Sequence, residues 1–197
     1  MYSINYILNY ELINSKGLTR SILVTAFVMA TAFGAYLRIP IPPNPVPITL
    51  QTFFVVLSGA VLGRKMGSLA QVSYLMSGAL GMPIFQGYSA GISHLAGPTG
   101  GYLVGFATAS FITGILMDTR RGTRNFLYIL LAMSAGLLAI YICGISWLII
   151  GYKFSFTKAV FMGLIPFIPG MLVKLLLASW VYLKIGSRTD SLIKNGQ

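Results

Sequence analysis

Only three acidic residues, Glu11, Asp118 and Asp190, stand among the 197 of this chain. All three fall outside the long apolar runs, so no carboxylate is available within them. With Asp118 and Asp190 placed in polar segments on one side, a serine–histidine–aspartate triad with His94 is excluded, because its members must sit within hydrogen-bond reach. Cys143 is the one cysteine, so no disulfide can form within the chain. Lying in an apolar stretch, it reads as a small buried hydrophobe rather than a reactive thiol. His94 is the one histidine, and the Cys, His and acid clusters that hold metals are missing. No phosphate-binding glycine motif of the nucleotide-hydrolase type occurs, so any ATP used in the protein's work is hydrolysed by another chain. Neither a catalytic residue set nor a cofactor is expected, and the chain does not read as an enzyme.

Charge of either sign is scarce, at 9% of residues, where a soluble domain carries about 25%. Hydrophobic residues make up 56%, and the mean hydropathy is +0.80. A 21.3 kDa chain this apolar cannot cover its surface with polar groups, so the bilayer serves as part of its solvent. Six apolar runs are candidate spans: Leu18–Leu37, Thr49–Leu62, Ser68–Phe85, Thr99–Met117, Phe126–Ile150 and Phe161–Leu183. The second and third are short and separated only by residues 63–67, which predicts a helical hairpin. The expected fold is an all-α integral membrane bundle of six transmembrane helices. It spans residues 18–184, after an interfacial or cytoplasmic segment 1–17 and before a cytoplasmic tail 185–197. The first run loosely mimics a signal peptide, but it is long enough to span and five more follow.

The net charge of +11 would suggest nucleic acid in a soluble protein. Here the basic residues sit in short linkers, where they set topology and meet anionic lipid headgroups; no nucleic-acid partner is expected. With both termini cytoplasmic, ten Lys and Arg fall on the inner side and three on the outer, Arg38, Lys153 and Lys158. Three unusual segments then share the outer side. Residues 38–47 contain five of the nine prolines, which predicts a stiff, extended linker. Residues 86–97 are uncharged, punctuated by Gly87, Gly91 and Gly97, and carry Gln86, Tyr88, Ser89 and His94. A break at 166–170 opens the last helix. Together they predict a binding site facing outward.

Lys174 is the one basic residue well inside an apolar run. An intramembrane charge is costly and suggests function; with the helix start beside it, Lys174 makes a site for a carboxylate. The competing reading is that it snorkels to the outer headgroups. His94 reads either as a hydrogen-bonding ligand contact or as a solvated loop residue. Ala26, Ala30 and Gly34 align on one face of the first helix, either to dock a partner helix or to pack within the bundle.

Residues 97–106, Gly-Pro-Thr-Gly-Gly-Tyr-Leu-Val-Gly-Phe, stand in order with Pro45-Val-Pro-Ile-Thr-Leu-Gln-Thr52, Gly78-Ala-Leu-Gly-Met-Pro-Ile-Phe85 and Pro169-Gly-Met-Leu-Val-Lys174. In these segments the chain resembles the BioY family, the biotin-specific substrate-binding (S) components of energy-coupling-factor transporters, over residues 18–184. The resemblance implies a multi-pass protein of the bacterial inner membrane that captures biotin at the outer face. Uptake would be powered by a transmembrane coupling subunit and two ATPase subunits docking at Ala26, Ala30 and Gly34. It implies a site built from Lys174, Gln86, Tyr88, Ser89, His94, Thr99, Tyr102 and Met171. Met171 stands where the family commonly has aspartate. A thioether is a weak acceptor for ureido N–H groups, which moves that task toward Gln86 and then His94. The alternative is a stand-alone facilitator or channel for biotin or a related small carboxylate.

Overall fold

A computed structural model describes residues 16–194, with side-chain surroundings from Gly17 to Gly186; the amphipathic segment expected over residues 1–15 lies outside the described residues. The helices are α1 (Lys16–Tyr36), α2 (Gln51–Ala79), α3 (Ile92–Leu95), α4 (Gly100–Thr119), α5 (Phe126–Tyr152), α6 (Phe156–Gly163) and α7 (Ile168–Lys194). Single 3-10 turns at Gln86–Tyr88 and Ile165–Phe167 and a two-residue strand pair complete the described fold.

Five helical stretches are long and apolar enough to cross a membrane. One of them, α2, is two helices. Its direction reverses at Gly63, whose φ of +78° and ψ of 177° leave the helical region; a positive φ is accessible to glycine without a Cβ penalty. The arms then run antiparallel. Gln71 Nε2 donates to Ser58 Oγ at 3.0 Å, and Gln51 Nε2 donates to Tyr74 OH at 2.8 Å. The six-helix bundle and its hairpin are therefore observed, and the protein is a multi-pass membrane protein.

Hydrophobic contrast with lipid tails cannot hold apolar helices together, so close approach and interhelical hydrogen bonds must. Gly59 and Ser110 show the first, since a Cβ on Gly59 would sit 2.3 Å from the Ser110 carbonyl oxygen. Ser58 Oγ and Ser110 Oγ, 3.0 Å apart, show the second. The first arm of α2, ending at Leu62, is about 18 Å long at 1.5 Å per residue, well short of a hydrocarbon core of about 30 Å. Gln51 thus starts its helix below the level reached by longer neighbours, and the 80–99 segment covers it.

Two expectations need correction. The proline-rich 38–47 segment does not extend away. Arg38–Ile39 and Ile48–Thr49 pair antiparallel, Arg38 opposite Thr49, so the linker folds back on itself. Asn44 fastens its tip, with Nδ2 donating to the Met162 carbonyl and Oδ1 accepting from Val46 N. The prolines block a helix, as expected, but the ends of the segment keep free backbone groups for pairing. The last helix also continues beyond its apolar run to Lys194, because residues such as Leu and Lys favour helix whether or not they face lipid.

Candidate functional site

At the pole where α1 ends and α4 begins, the short first arm of α2 leaves a cavity of about 50 Å³. Its walls come from the segment before α2 (Val46, Pro47, Thr49), the start of α2 (Gln51, Thr52), the loop (Gln86), the start of α4 (Thr99, Tyr102, Leu103, Phe106), mid α5 (Ile140, Tyr141), Phe167 and Lys174. Two helices begin here, at Gln51 and Gly100, and neither N-cap residue, Leu50 or Thr99, caps its helix with a side-chain hydrogen bond. The positive ends of two helix dipoles therefore face one small space.

Lys174 reaches this space from α7. Its Nζ donates to the Thr49 carbonyl at 3.0 Å and to Thr52 Oγ1 at 2.8 Å. Both acceptors are neutral, whereas an ammonium has three donors to satisfy. No carboxylate among the described residues pairs with it. Gln51 is the cavity's most connected polar side chain. It accepts from Thr49 Oγ1 at 3.1 Å and donates to Tyr74 OH, which passes the chain on to the Ile84 carbonyl at 3.0 Å. This relay joins the cavity floor to the base of the loop above it.

That loop is packed rather than loose. Phe85 is fully buried, edge-on to Tyr74 with centroids 5.5 Å apart and stacked under His94 at 5.0 Å. Ser89 Oγ donates to the Gln86 carbonyl at 2.6 Å and lies 2.8 Å from His94 Nδ1. One hydroxyl proton cannot serve both, so His94 Nδ1 carries its own proton and Ser89 accepts. His94 Nε2 is then a bare acceptor, and it is buried without a hydrogen-bond partner. Burial also lowers the imidazole pKa below its ordinary value, which favours this neutral form. Three aromatic side chains pin the loop's ends. Tyr36 OH donates to the Pro83 carbonyl at 2.8 Å, Trp147 Nε1 to Gly97 O at 3.0 Å, and Tyr152 OH to Ala96 O at 3.0 Å.

Of the site residues expected from sequence, Lys174, Gln86, Thr99 and Tyr102 line the cavity. Ser89 and His94 stand in the loop behind Gln86 and do not line it. Tyr88 is 72% exposed and stacks on Tyr36 at 4.6 Å. Met171, half-buried, packs against the core and is not a cavity residue. Gln51, Thr52 and Tyr141 are cavity residues that the sequence does not single out, although Gln51 and Thr52 end the Pro45–Thr52 segment that carries part of the family resemblance. On α1, Ala26 is exposed and Ala30 half-buried. Gly34 is buried, where a Cβ would come 3.0 Å from Gln51 N and from Phe54.

Residues 9–191 match the model of the BioY family. The chain belongs to the BioY family. A Pyrococcus horikoshii protein named a probable biotin transporter BioY is 45% identical over 77% of this chain and 86% of its own length. The biotin transporter BioY of Thermotoga maritima is 39% identical, over 81% and 90% respectively. A crystal structure of the S-component for biotin from an ECF-type ABC transporter superposes with a TM-score of 0.80, covering 87% of this chain and 92% of that one. At 24% identity, that likeness speaks for the fold. These relatives in the BioY family are thus named transporters, not enzymes.

Proposed function

We propose that this chain is the substrate-binding subunit of a biotin importer, receiving the vitamin in the cavity beneath loop 86–97. Lys174 carries this reading. A half-buried ammonium held by two neutral oxygens, beside two uncapped helix starts, is matched by an anionic ligand rather than by anything among the described residues. Biotin supplies a carboxylate at the end of an apolar tail. Tyr102, Phe106, Tyr141 and Phe167 offer apolar surface to its rings. The ureido N–H groups need acceptors, because a buried unsatisfied donor costs about 1–3 kcal/mol. Gln86 is first in position, Gln51 beside it, and His94 Nε2 is reached if the loop shifts.

A cavity of about 50 Å³ has room for only a few water molecules. Binding therefore requires the loop and aromatic walls to move outward and then close. The basic pole, with Arg20, Arg64, Lys65, Arg120, Arg121 and Arg124, faces the cytoplasm by the positive-inside bias. The cavity then opens to the outer face of the bacterial inner membrane. In this reading uptake is driven by a transmembrane coupling subunit and two ATPase subunits, the partners that the family resemblance implies. Exposed Ala26 and half-buried Ala30 form their docking face, while Gly34 packs within the bundle. Ala30→Trp is expected to abolish uptake in cells while biotin binding by the isolated chain survives.

The test is native mass spectrometry of the full chain purified in detergent. A retained small molecule of biotin's mass, exchangeable for labelled biotin, supports the reading. A chain that neither retains biotin nor binds it on titration contradicts it.

A further inference from the structure

The cavity is not the only space against Lys174. On the far side of the Thr49 backbone lies an open groove of about 640 Å³, between Leu37–Ile39, Ile48–Leu50 and the first turns of α7. Thr49 and Lys174 line both spaces. Because Lys174 Nζ donates to the Thr49 carbonyl at 3.0 Å, its ammonium sits at the partition between them. The groove walls are mostly apolar, and Ile39 and Val173 are 64% and 57% exposed. Its one other charged lining residue is Arg38. The Arg38 guanidinium lies against the loop, where a Cβ on Gly87 would come 2.6 Å from Nη1.

We propose that this protein also accepts biotin extended through its carboxyl group, as the amide of biotin with the side-chain amine of lysine. The alkyl link would lie in the groove and the distal carboxylate on Arg38. The proposal rests on the biotin reading of the cavity. A ligand whose acid end meets Lys174 ends at a partition made of that side chain and the Thr49 backbone, which must part to pass an extension. An extension past that point enters open apolar space suited to methylene groups. The amide carbonyl still accepts from Lys174 Nζ, and the guanidinium of Arg38 has the fork geometry that receives a carboxylate. A site sealed around the acid end would instead reject any extension, since overpacking a filled space is destabilising.

The test compares equilibrium binding of biotin and of its lysine amide to the full chain in lipid nanodiscs. Wild type should bind the amide about tenfold more weakly than biotin, reflecting a charge-assisted bond replaced by a neutral one. Val173→Trp, which fills the groove, should weaken the amide by about a further tenfold and biotin by less than about twofold. Ile39→Trp, on a different element, should do the same and guards against a misfolded Val173 variant. Arg38→Gln should weaken the amide alone, by about threefold, as expected for an exposed ion pair. Wild type that binds biotin and rejects the amide overturns the proposal. So does an amide affinity indifferent to both tryptophans, or one lowered in step with biotin in both. Wild type that binds neither ligand contradicts the biotin reading itself, and the groove proposal falls with it.

Discussion

The two poles of the bundle connect their helices in opposite ways. At the cavity pole the connections are long and sparsely charged, with Arg38, Lys153 and Lys158 alone: the folded-back 38–49 hairpin, the uncharged 80–99 loop with its buried Phe85, and the 153–167 segment with α6. At the other pole they are short and basic: the Gly63 reversal carrying Arg64 and Lys65, and the 120–125 link carrying Arg120, Arg121 and Arg124. There Asp118 stands between Arg64 Nε at 3.9 Å and Arg121 Nε at 3.7 Å. Long, sparsely charged connections build walls and a cover around a small space. Short charged ones fix orientation. In the proposed function, recognition and topology fall to different ends of the same six helices.

The sharpest way to break this contrast is to remove the one charged side chain that lines the cavity. Lys174→Ala should cost about 3–5 kcal/mol of biotin binding, the scale for removing one partner of a buried pair. That is a loss of a hundredfold or more, read by titration. A close-packing change between the poles should act on stability instead. Gly59→Val drives a side chain into the Ser110 carbonyl, 2.3 Å from the Cβ position. It should destabilise by about 1–3 kcal/mol, seen as a lower melting temperature in detergent. At the cover, Trp147→Phe removes the hydrogen bond to Gly97 O. About 1 kcal/mol is expected, read as faster hydrogen exchange at residues 95–98 with the helices unaffected.

Acid should loosen the same cover. The folded state lowers the His94 pKa below its ordinary value of about 6.5, so the unfolded or opened loop binds more protons. The stability of the neutral imidazole is fully present above that ordinary value and is lost as pH falls through the lower folded one. The protection of the loop amides, normalised to their intrinsic exchange at each pH, should be constant above neutrality and fall in mild acid, and His94→Gln should flatten the profile. The smallest effect belongs to the basic pole. Asp118→Asn weakens two partly exposed pairs and should cost about 1 kcal/mol in stability, leaving biotin affinity unchanged.

The helices were legible because an apolar run of spanning length can satisfy its backbone in lipid only by coiling into a helix or closing a barrel, and these runs lack the alternation a barrel strand needs. The reversal at Gly63 was legible because two short runs flanked a linker of two glycines with the basic pair Arg64-Lys65 between them. The 38–47 segment was misread as extended. Prolines report what a backbone cannot do locally, while the pairing of Arg38 with Thr49 is a contact across the whole linker that composition does not encode. Lys174 announced itself by isolation. Gln51 did not, because a glutamine at a helix start looks like any polar boundary residue. Its role emerges only when the hairpin brings Tyr74 to it. Gly34 had an equal claim to a docking face or an internal one, and its distance to Gln51 favours the second.

The central claim is that the cavity pole, and not the basic one, receives biotin. Hydrogen exchange followed by mass spectrometry on the full chain in nanodiscs compares the two directly. Biotin should slow exchange strongly in residues 85–97 and at the starts of α2 and α4, and leave residues 119–125 unchanged. Unchanged exchange in 85–97 at saturating biotin, or protection appearing at 119–125 instead, would contradict the account.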